Sequence, residues 1–175
     1  MFDEFRSATS NDFDAVWQLF ADVCEQQTHD EYCPQWTFGV YPSEEDIRGY
    51  LENGEMWLSF VDDRPLGVYA LVPHEDPEYD IVTWPTDAAD DEVAVIHLLA
   101  VHPSARGKHA GAELVRHAIG RARELGKRVI HLDVVPGNLA ASRIYLAAGF
   151  EFVGTYEIFY EDTGVMPFDM YEYVL

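Results

Sequence analysis

The sequence predicts an α/β fold with a mixed, mostly antiparallel central sheet flanked by about four helices. Three observations lead there. Segments with strand periodicity alternate with segments of helical periodicity along the whole chain. A hairpin and a closing strand pair supply antiparallel neighbours, whereas one strand-helix-strand passage supplies a parallel crossover. The 175 residues suffice for one buried core, and no repeat, low-complexity tract or linker divides them, so residues 1–175 are expected to form a single domain.

Taken in order, Phe5 to Ala8 reads as a short strand, and Ser10 or Asn11 as the cap of a helix carrying Phe13, Val16, Trp17, Phe20 and Val23 at helical spacing. A loop from Tyr32 to Pro42 holds Tyr32, Trp36, Phe38 and Tyr41. Pro42-Ser43-Glu44-Glu45 opens a short helix through Ile47, Tyr50 and Leu51 that stops near Asn53-Gly54. Met56–Val61 and Pro65–Val72 form a hairpin around Asp62-Asp63-Arg64. His74 to Asp91, rich in acids and interrupted by proline, reads as a surface excursion. Glu92–Val101 is a long apolar run that suits a central strand. A helix follows with Ala110, Leu114, Ala118, Ala122 and Leu125 on one stripe and Gly126 as its stop. Val129–Val135 is the next strand, and Pro136-Gly137-Asn138 starts a helix from about Leu139 to Ala148. Phe150–Tyr160 and Phe168–Val174 complete the sheet, joined through Glu161-Asp162-Thr163-Gly164.

The net charge is −21, which argues against a nucleic-acid partner. Its distribution is uneven. Between Ser104 and His131 seven basic residues (Arg106, Lys108, Arg116, Arg121, Arg123, Lys127 and Arg128) face only Glu113 and Glu124. A helix with a solvated basic face is the ordinary explanation of such a run. Cys24 and Cys33 lack any Cys-x-x-Cys or His partner at metal spacing, so no metal is expected. The acidic start Met1-Phe2-Asp3-Glu4 is unlike a signal peptide, and no apolar run approaches membrane-spanning length; the expectation is a cytoplasmic protein with no membrane partner.

Arg106-Gly107-Lys108-His109-Ala110-Gly111 lies between a strand and a helix, where free backbone N–H groups and the positive helix end make an anion site. Gly107 and Gly111 would let the backbone approach a ligand. A polyanionic cofactor landing on an acidic surface needs a locally positive berth, and this turn lies in the chain's basic stretch.

The segment Leu99-Ala100-Val101-His102-Pro103-Ser104-Ala105-Arg106-Gly107-Lys108-His109-Ala110-Gly111 resembles the acetyl-CoA motif of the Gcn5-related N-acetyltransferases. Asn138-Leu139-Ala140-Ala141-Ser142-Arg143-Ile144-Tyr145-Leu146-Ala147-Ala148-Gly149-Phe150 resembles that family's second signature. One position departs: His109 stands where the family turn usually has its first glycine, which is tolerable if the ring points outward while the N–H faces the phosphate.

The resemblance implies a GNAT-like fold over essentially the whole chain and acetyl-CoA as co-substrate. It implies cofactor contacts from Leu99, Ala100, Val101, Arg106, Gly107, Lys108, His109, Ala110, Gly111, Asn138, Ala141 and Tyr145. It also implies transfer to an amine through a tetrahedral intermediate whose oxyanion meets backbone N–H groups near Leu99 to Val101. Tyr145, on one helix face with Asn138 and Ala141, matches the tyrosine that protonates the departing sulfur; packing in the helix interface is the competing reading. His97 lies in a segment resembling the arylalkylamine N-acetyltransferases, where a strand histidine helps take the amine proton. By strand alternation it would share a face with Leu99 and Val101, although a lone strand histidine is commonly a hydrogen-bonded core residue. Glu92 is the substitute base. Trp36, Phe38 and Tyr41 match the acceptor wall, or staple their loop to the sheet. The acceptor is read as a small-molecule primary amine, with a protein or peptide amine and a catalytically silent CoA-binding module as alternatives. Exposed terminal strands leave a homodimer open.

Overall fold

The computed structural model describes residues 2–27, 29, 35–160 and 164–175. Tyr32, Cys33 and the turn Glu161–Thr163 lie outside the described residues. Strands β1 (Glu4–Ser7), β2 (Met56–Val61), β3 (Arg64–Val72), β4 (Val93–Val101), β5 (Val129–Val134), β6 (Glu151–Tyr160) and β7 (Gly164–Val174) form one sheet in the order β1-β2-β3-β4-β5-β7-β6. Among the described residues only the β4–β5 pairing is parallel. The helices are α1 (Phe13–Gln27), α2 (Glu44–Glu52), α3 (Ala110–Glu124) and α4 (Leu139–Ala148).

Each helix buries one stripe. Leu114, Val115, Ala118, Ile119 and Ala122 of α3 pack with Tyr145 of α4 against Tyr69, Ala94, Ile96, Ile130 and Leu132 on one face of the sheet. On the other face, Val16, Leu19, Phe20 and Val23 of α1 and Ile47 and Leu51 of α2 cover Met56, Leu58, Val68, Leu98 and Ala100. These are the spacings that put apolar side chains on one side of a helix.

Local chemistry sets the element ends. Thr9, not Ser10 or Asn11, precedes the 3-10 turn Ser10–Asp12 that leads into α1, because the Asp12 carboxylate accepts from the Thr9 N–H (2.8 Å) and hydroxyl (3.0 Å). Arg6 holds that carboxylate at 2.7 Å and draws its pKa down to about 2. Ser43 caps α2, accepting from Asp46 N at 3.1 Å while Asp46 accepts in return. The β2–β3 turn is tighter than the sequence suggests: Asp62 and Asp63 both take the left-handed conformation (φ 50° and 59°) that a two-residue hairpin needs.

The 73–92 excursion corrects the surface reading. It folds back over the sheet and buries Tyr79 and Val82 with Val93, Val95, Val129 and Met170. Trp84 stacks on the buried His131 ring at 3.6 Å, and His131 bonds Glu75 (2.7 Å) on the excursion and Glu172 (3.1 Å) on β7. Thr86 adds a hydroxyl bond to Glu172 at 2.8 Å. The acid-rich composition of the segment hides its few apolar anchors, and acids that read as solvated are in part buried hydrogen-bond partners. Among the described residues no helix is long and apolar enough to cross a membrane.

Candidate active site

The two parallel strands part. Val93, Ala94 and Val95 of β4 pair with Val129, Ile130 and His131 of β5, while β4 runs on to Val101 and β5 to Val134 beyond that pairing. The side of β4 facing β5 therefore carries backbone groups that are not used in a ladder, as a ligand lying in the gap requires. Both strands end toward the same side, so the chain enters α3 and α4 at the open end of the gap and both helix N-termini lie there.

A β-bulge lies on the other edge of β4, in its pairing with β3. Val68 pairs with Ala100 but Ala70 with His97, so β4 has an extra residue, and Leu98 takes φ 53°. The bulge changes which way the side chains point. Leu99 and Val101 pack toward α3 and α4, whereas Leu98 and Ala100 pack toward α1 and α2. His97 lies among Tyr50, Tyr79 and Asp76 on the α2 side, so it does not share a face with Leu99 and Val101 as simple alternation predicts. The inserted residue resets the period of two, and nothing in an all-apolar run announces it.

At the open end, the turn before α3 suits a phosphate-bearing cofactor. His109 occupies the N-cap with φ 61° and makes no side-chain cap bond, and the first ladder bond is Glu113 N to His109 O at 3.1 Å. The N–H groups of the first turn, from Ala110 to Ala112, are thus left for an anion. The left-handed conformation explains why glycine suits this position; histidine is among the residues that tolerate it. Its ring is exposed, as are Arg106 and Lys108. Gly107 (φ 75°) has open space where a side chain would stand. Gly111 has another task. A Cβ there would come 2.8 Å from Ile144 Cδ1, so its bareness lets α4 approach α3.

Asn138 caps α4, its Oδ1 accepting from Ala141 N at 3.3 Å. One further turn along, Tyr145 is 7% exposed and packs edge-on against Phe150 at 5.4 Å. Burial raises its pKa and the charge of Asp133 raises it further, which keeps the phenol protonated. That influence reaches across the sheet, since Asp133 belongs with the excursion side. Tyr79 donates to Asp133 Oδ1 at 2.5 Å.

The excursion side of β4 holds a set of groups gathered from distant parts of the chain. His97 Nε2 lies 3.2 Å from Asp76 Oδ2, with the two side chains 11% and 10% exposed. Burial works against a charged His97, but the bond to Asp76 and the charges of Asp76, Asp133 and Glu78 outweigh it and raise the pKa. Asp76 shows the converse: burial would raise it, yet bonds to His97 and Glu78 hold it down at about 2. Sharing that bond lifts Glu78 to about 7. Asp133 is raised by burial, partly countered by the Tyr79 hydroxyl and the charge of His97. Tyr41, Tyr50 and Tyr160 lie in the same field, and burial pushes all their phenols upward.

Of the wall residues, Tyr41 belongs to this cluster. Trp36 and Phe38 pack on α1, at 5.7 Å from Phe20 and 4.3 Å from Trp17, and Trp36 also meets Tyr41 edge-on at 6.4 Å. Glu92 stays at the start of β4, capping the 3-10 turn Asp90–Glu92 through Ala89 N (3.0 Å) and facing Arg128 at 3.4 Å. The structure thus places His97 on the excursion side of the sheet and Tyr145 on the opposite face, with Tyr41, Trp36 and Phe38 packed together on the His97 side and Glu92 at the start of β4. Sequence reasoning missed Asp76, Tyr79, Asp133, Tyr50 and Tyr160. A single acid inside the apolar run Val129–Val135 was a usable signal for Asp133, because a charge in a central strand needs a reason; the others carry none.

Comparison with known proteins agrees with this architecture. An uncharacterized N-acetyltransferase of Methanocaldococcus jannaschii is 37% identical over 68 residues, covering 39% of this chain and 30% of that protein. The uncharacterized N-acetyltransferase YvbK of Bacillus subtilis is 28% identical over 109 residues, covering 62% of this chain and 61% of that protein. The match thus spans less than two thirds of either relative. Among solved structures, a GNAT-family acetyltransferase from Streptococcus agalactiae superposes with a TM-score of 0.82 at 18% identity, over 100% of this chain and 98% of that one. The structure of yncA from Salmonella typhimurium with its cofactor acetyl-CoA gives 0.69 at 16% identity, over 98% and 93% of the two chains. With residues 22–150 matching the Acetyltransferase (GNAT) family, a segment that includes β4, the phosphate turn and α4, the chain belongs to that family.

Proposed function

We propose that this protein transfers the acetyl group of acetyl-CoA directly to the primary amine of a small molecule. The observation that carries the reading is the parted β4–β5 pair, with Tyr145 packed on one face of the sheet and the His97–Asp76 pair on the other. The cofactor, held at the uncapped start of α3 by Arg106, Lys108 and the N–H groups of Ala110 to Ala112, supplies the acetyl thioester. Asp76 accepts from His97 Nε2–H, which leaves the Nδ1 lone pair to take a proton from the acceptor ammonium. The neutral amine then forms the C–N bond, the C–S bond breaks, and the extra proton left on the acylated nitrogen passes to solvent. The protonated phenol of Tyr145 donates to the departing sulfur, and backbone N–H groups on the open side of β4 stabilise negative charge on the acetyl oxygen.

A small acceptor fits better than a polypeptide because the acceptor-side groups are largely buried beneath the excursion and α2. The test is thiol release from acetyl-CoA with a panel of primary amines, with mass spectrometry of the product. Acetylated amine and free CoA in equal amounts are expected. No thiol release with any amine, while acetyl-CoA binds, would leave a silent CoA-binding module.

A further inference from the structure

Asp76 belongs to no strand, so its approach to His97 on β4 depends on what fastens the excursion to the sheet. The fastening next to it is Glu75. One carboxylate oxygen of Glu75, Oε2, lies 2.7 Å from His131 Nδ1 on β5, while the other, Oε1, accepts from the Asp76 N–H at 3.2 Å. His131 is itself fixed on both sides. Its side chain is 1% exposed, its Nε2 lies 3.1 Å from Glu172 Oε2 on β7, and Trp84 covers the ring at 3.6 Å with the planes 4° apart. A buried imidazole bonded at both nitrogens is a rigid anchor, and a carboxylate bridging it to a backbone N–H carries that rigidity to the next residue. Asp76 ends the line: its Oδ1 accepts from Glu78 N at 2.9 Å, and its Oδ2 lies 3.2 Å from His97 Nε2.

We infer that Glu75 is a positioning residue, a strut from His131 that holds Asp76 at hydrogen-bond distance from His97. The inference rests on the amine-transfer reading above, in which Asp76 orients His97 to take the ammonium proton. The sheet sets the span of the strut. His131 pairs with Val95, two residues before His97, and both imidazoles lie on the excursion side. The excursion's other ties, Tyr79 to Asp133 (2.5 Å) and Thr86 to Glu172 (2.8 Å), hold the segment over the sheet without touching Asp76. Loss of the Glu75 side chain, which is 20% exposed, therefore disturbs His97 more than it disturbs the fold. The groups that act on His97 are Asp76 and Glu78 of the excursion, Asp133 of β5 and the stacked Tyr50 ring of α2. Glu75 faces His131, with Glu172 behind it, and donates its own N–H to Asp90 Oδ1 at 2.9 Å.

Three variants separate reach from charge. Glu75→Gln keeps the length and an amide oxygen for the Asp76 N–H but removes the charge, Glu75→Asp keeps the charge but is one methylene short, and Glu75→Ala removes both. The readouts are the titration midpoint of His97, followed by NMR of its imidazole protons, and kcat and KM for acetyl-CoA with an amine that the native protein acetylates. In Glu75→Asp and Glu75→Ala the midpoint should fall by about one pH unit and kcat about tenfold, with the rising limb of the pH profile following the midpoint down. KM for acetyl-CoA should change less than about twofold, because the cofactor turn is untouched, and Glu75→Gln should keep kcat within about threefold of native. A native midpoint and profile in Glu75→Asp and Glu75→Ala overturn the inference, since a merely structural Glu75 would lower only the melting temperature. Losses in Glu75→Gln as large as those in Glu75→Ala overturn it as well, because charge alone would then be acting. If no amine is acetylated, the amine-transfer reading fails, while the NMR midpoint still decides whether Glu75 holds Asp76 on His97. Should Glu75→Ala not fold, Glu75→Asp against Glu75→Gln gives the same decision.

Discussion

Tyr145 and His97 lie on opposite faces of the sheet, and the proposed chemistry asks opposite things of them. Tyr145 must hold its proton until sulfur departs, and burial does that. Tyr145→Phe keeps the ring against Phe150 and removes only the hydroxyl. Turnover should fall roughly ten- to a thousandfold with the melting temperature and acetyl-CoA affinity nearly unchanged, and the loss should shrink with a better leaving thiol. A native rate across the pH range would make Tyr145 a packing residue. His97 must be neutral to accept a proton, yet its neighbours raise its pKa, so kcat/KM should climb with pH along a limb above about 6.5. Asp76→Asn removes the main raising group, and the limb should move to lower pH as turnover drops about tenfold or more; an unmoved limb would separate His97 from the profile. Stability runs the other way. The raised His97 stabilises the fold fully below about 6.5 and loses that as pH rises through its folded value, while Asp76 contributes above about 3.9 and loses it as pH falls toward about 2. The pair therefore stabilises most at a pH below the one at which it serves catalysis.

At the scale of elements, the phosphate turn and the excursion divide the work. The turn brings exposed Arg106 and Lys108 to an uncapped helix start in a chain that otherwise repels anions. Replacing both by Ala should raise the acetyl-CoA dissociation constant about tenfold or more and flatten its dependence on salt, as calorimetry at several ionic strengths would read. Unchanged affinity would assign the berth to backbone alone. Secondary structure around the turn was legible because it is written locally: strand, glycine, basic residues, then a helical stripe. The bulge at Leu98 and the docking of the excursion were not. A bulge is decided by what the strand packs against, and Tyr79 and Trp84 look like any aromatics in an acidic loop until His131 and Asp133 meet them.

For the molecule as a whole, a net charge of −21 spread outside one basic stretch means self-repulsion in the folded state. Added salt should therefore raise the melting temperature, about 2–4 °C for each kcal/mol of repulsion screened; a fall on adding salt would mean that specific ion pairs outweigh the general field. The sequence by itself determined the fold class, the cofactor turn with its His109 departure, and Tyr145 and His97 as candidates. The elements behind the fold class are local patterns of periodicity and capping, and the turn, Tyr145 and His97 lie in two short stretches that resemble a known family's motifs. Only the tertiary structure decided which side of the sheet His97 faces, that Asp76 is its partner, and that Asp133 with Tyr41, Tyr50, Tyr79 and Tyr160 lies on that same side. Those groups come from α2, the loop before it, the excursion, β5 and β6, and no local rule links residues so far apart until the sheet order β3-β4-β5-β7-β6 sets them side by side.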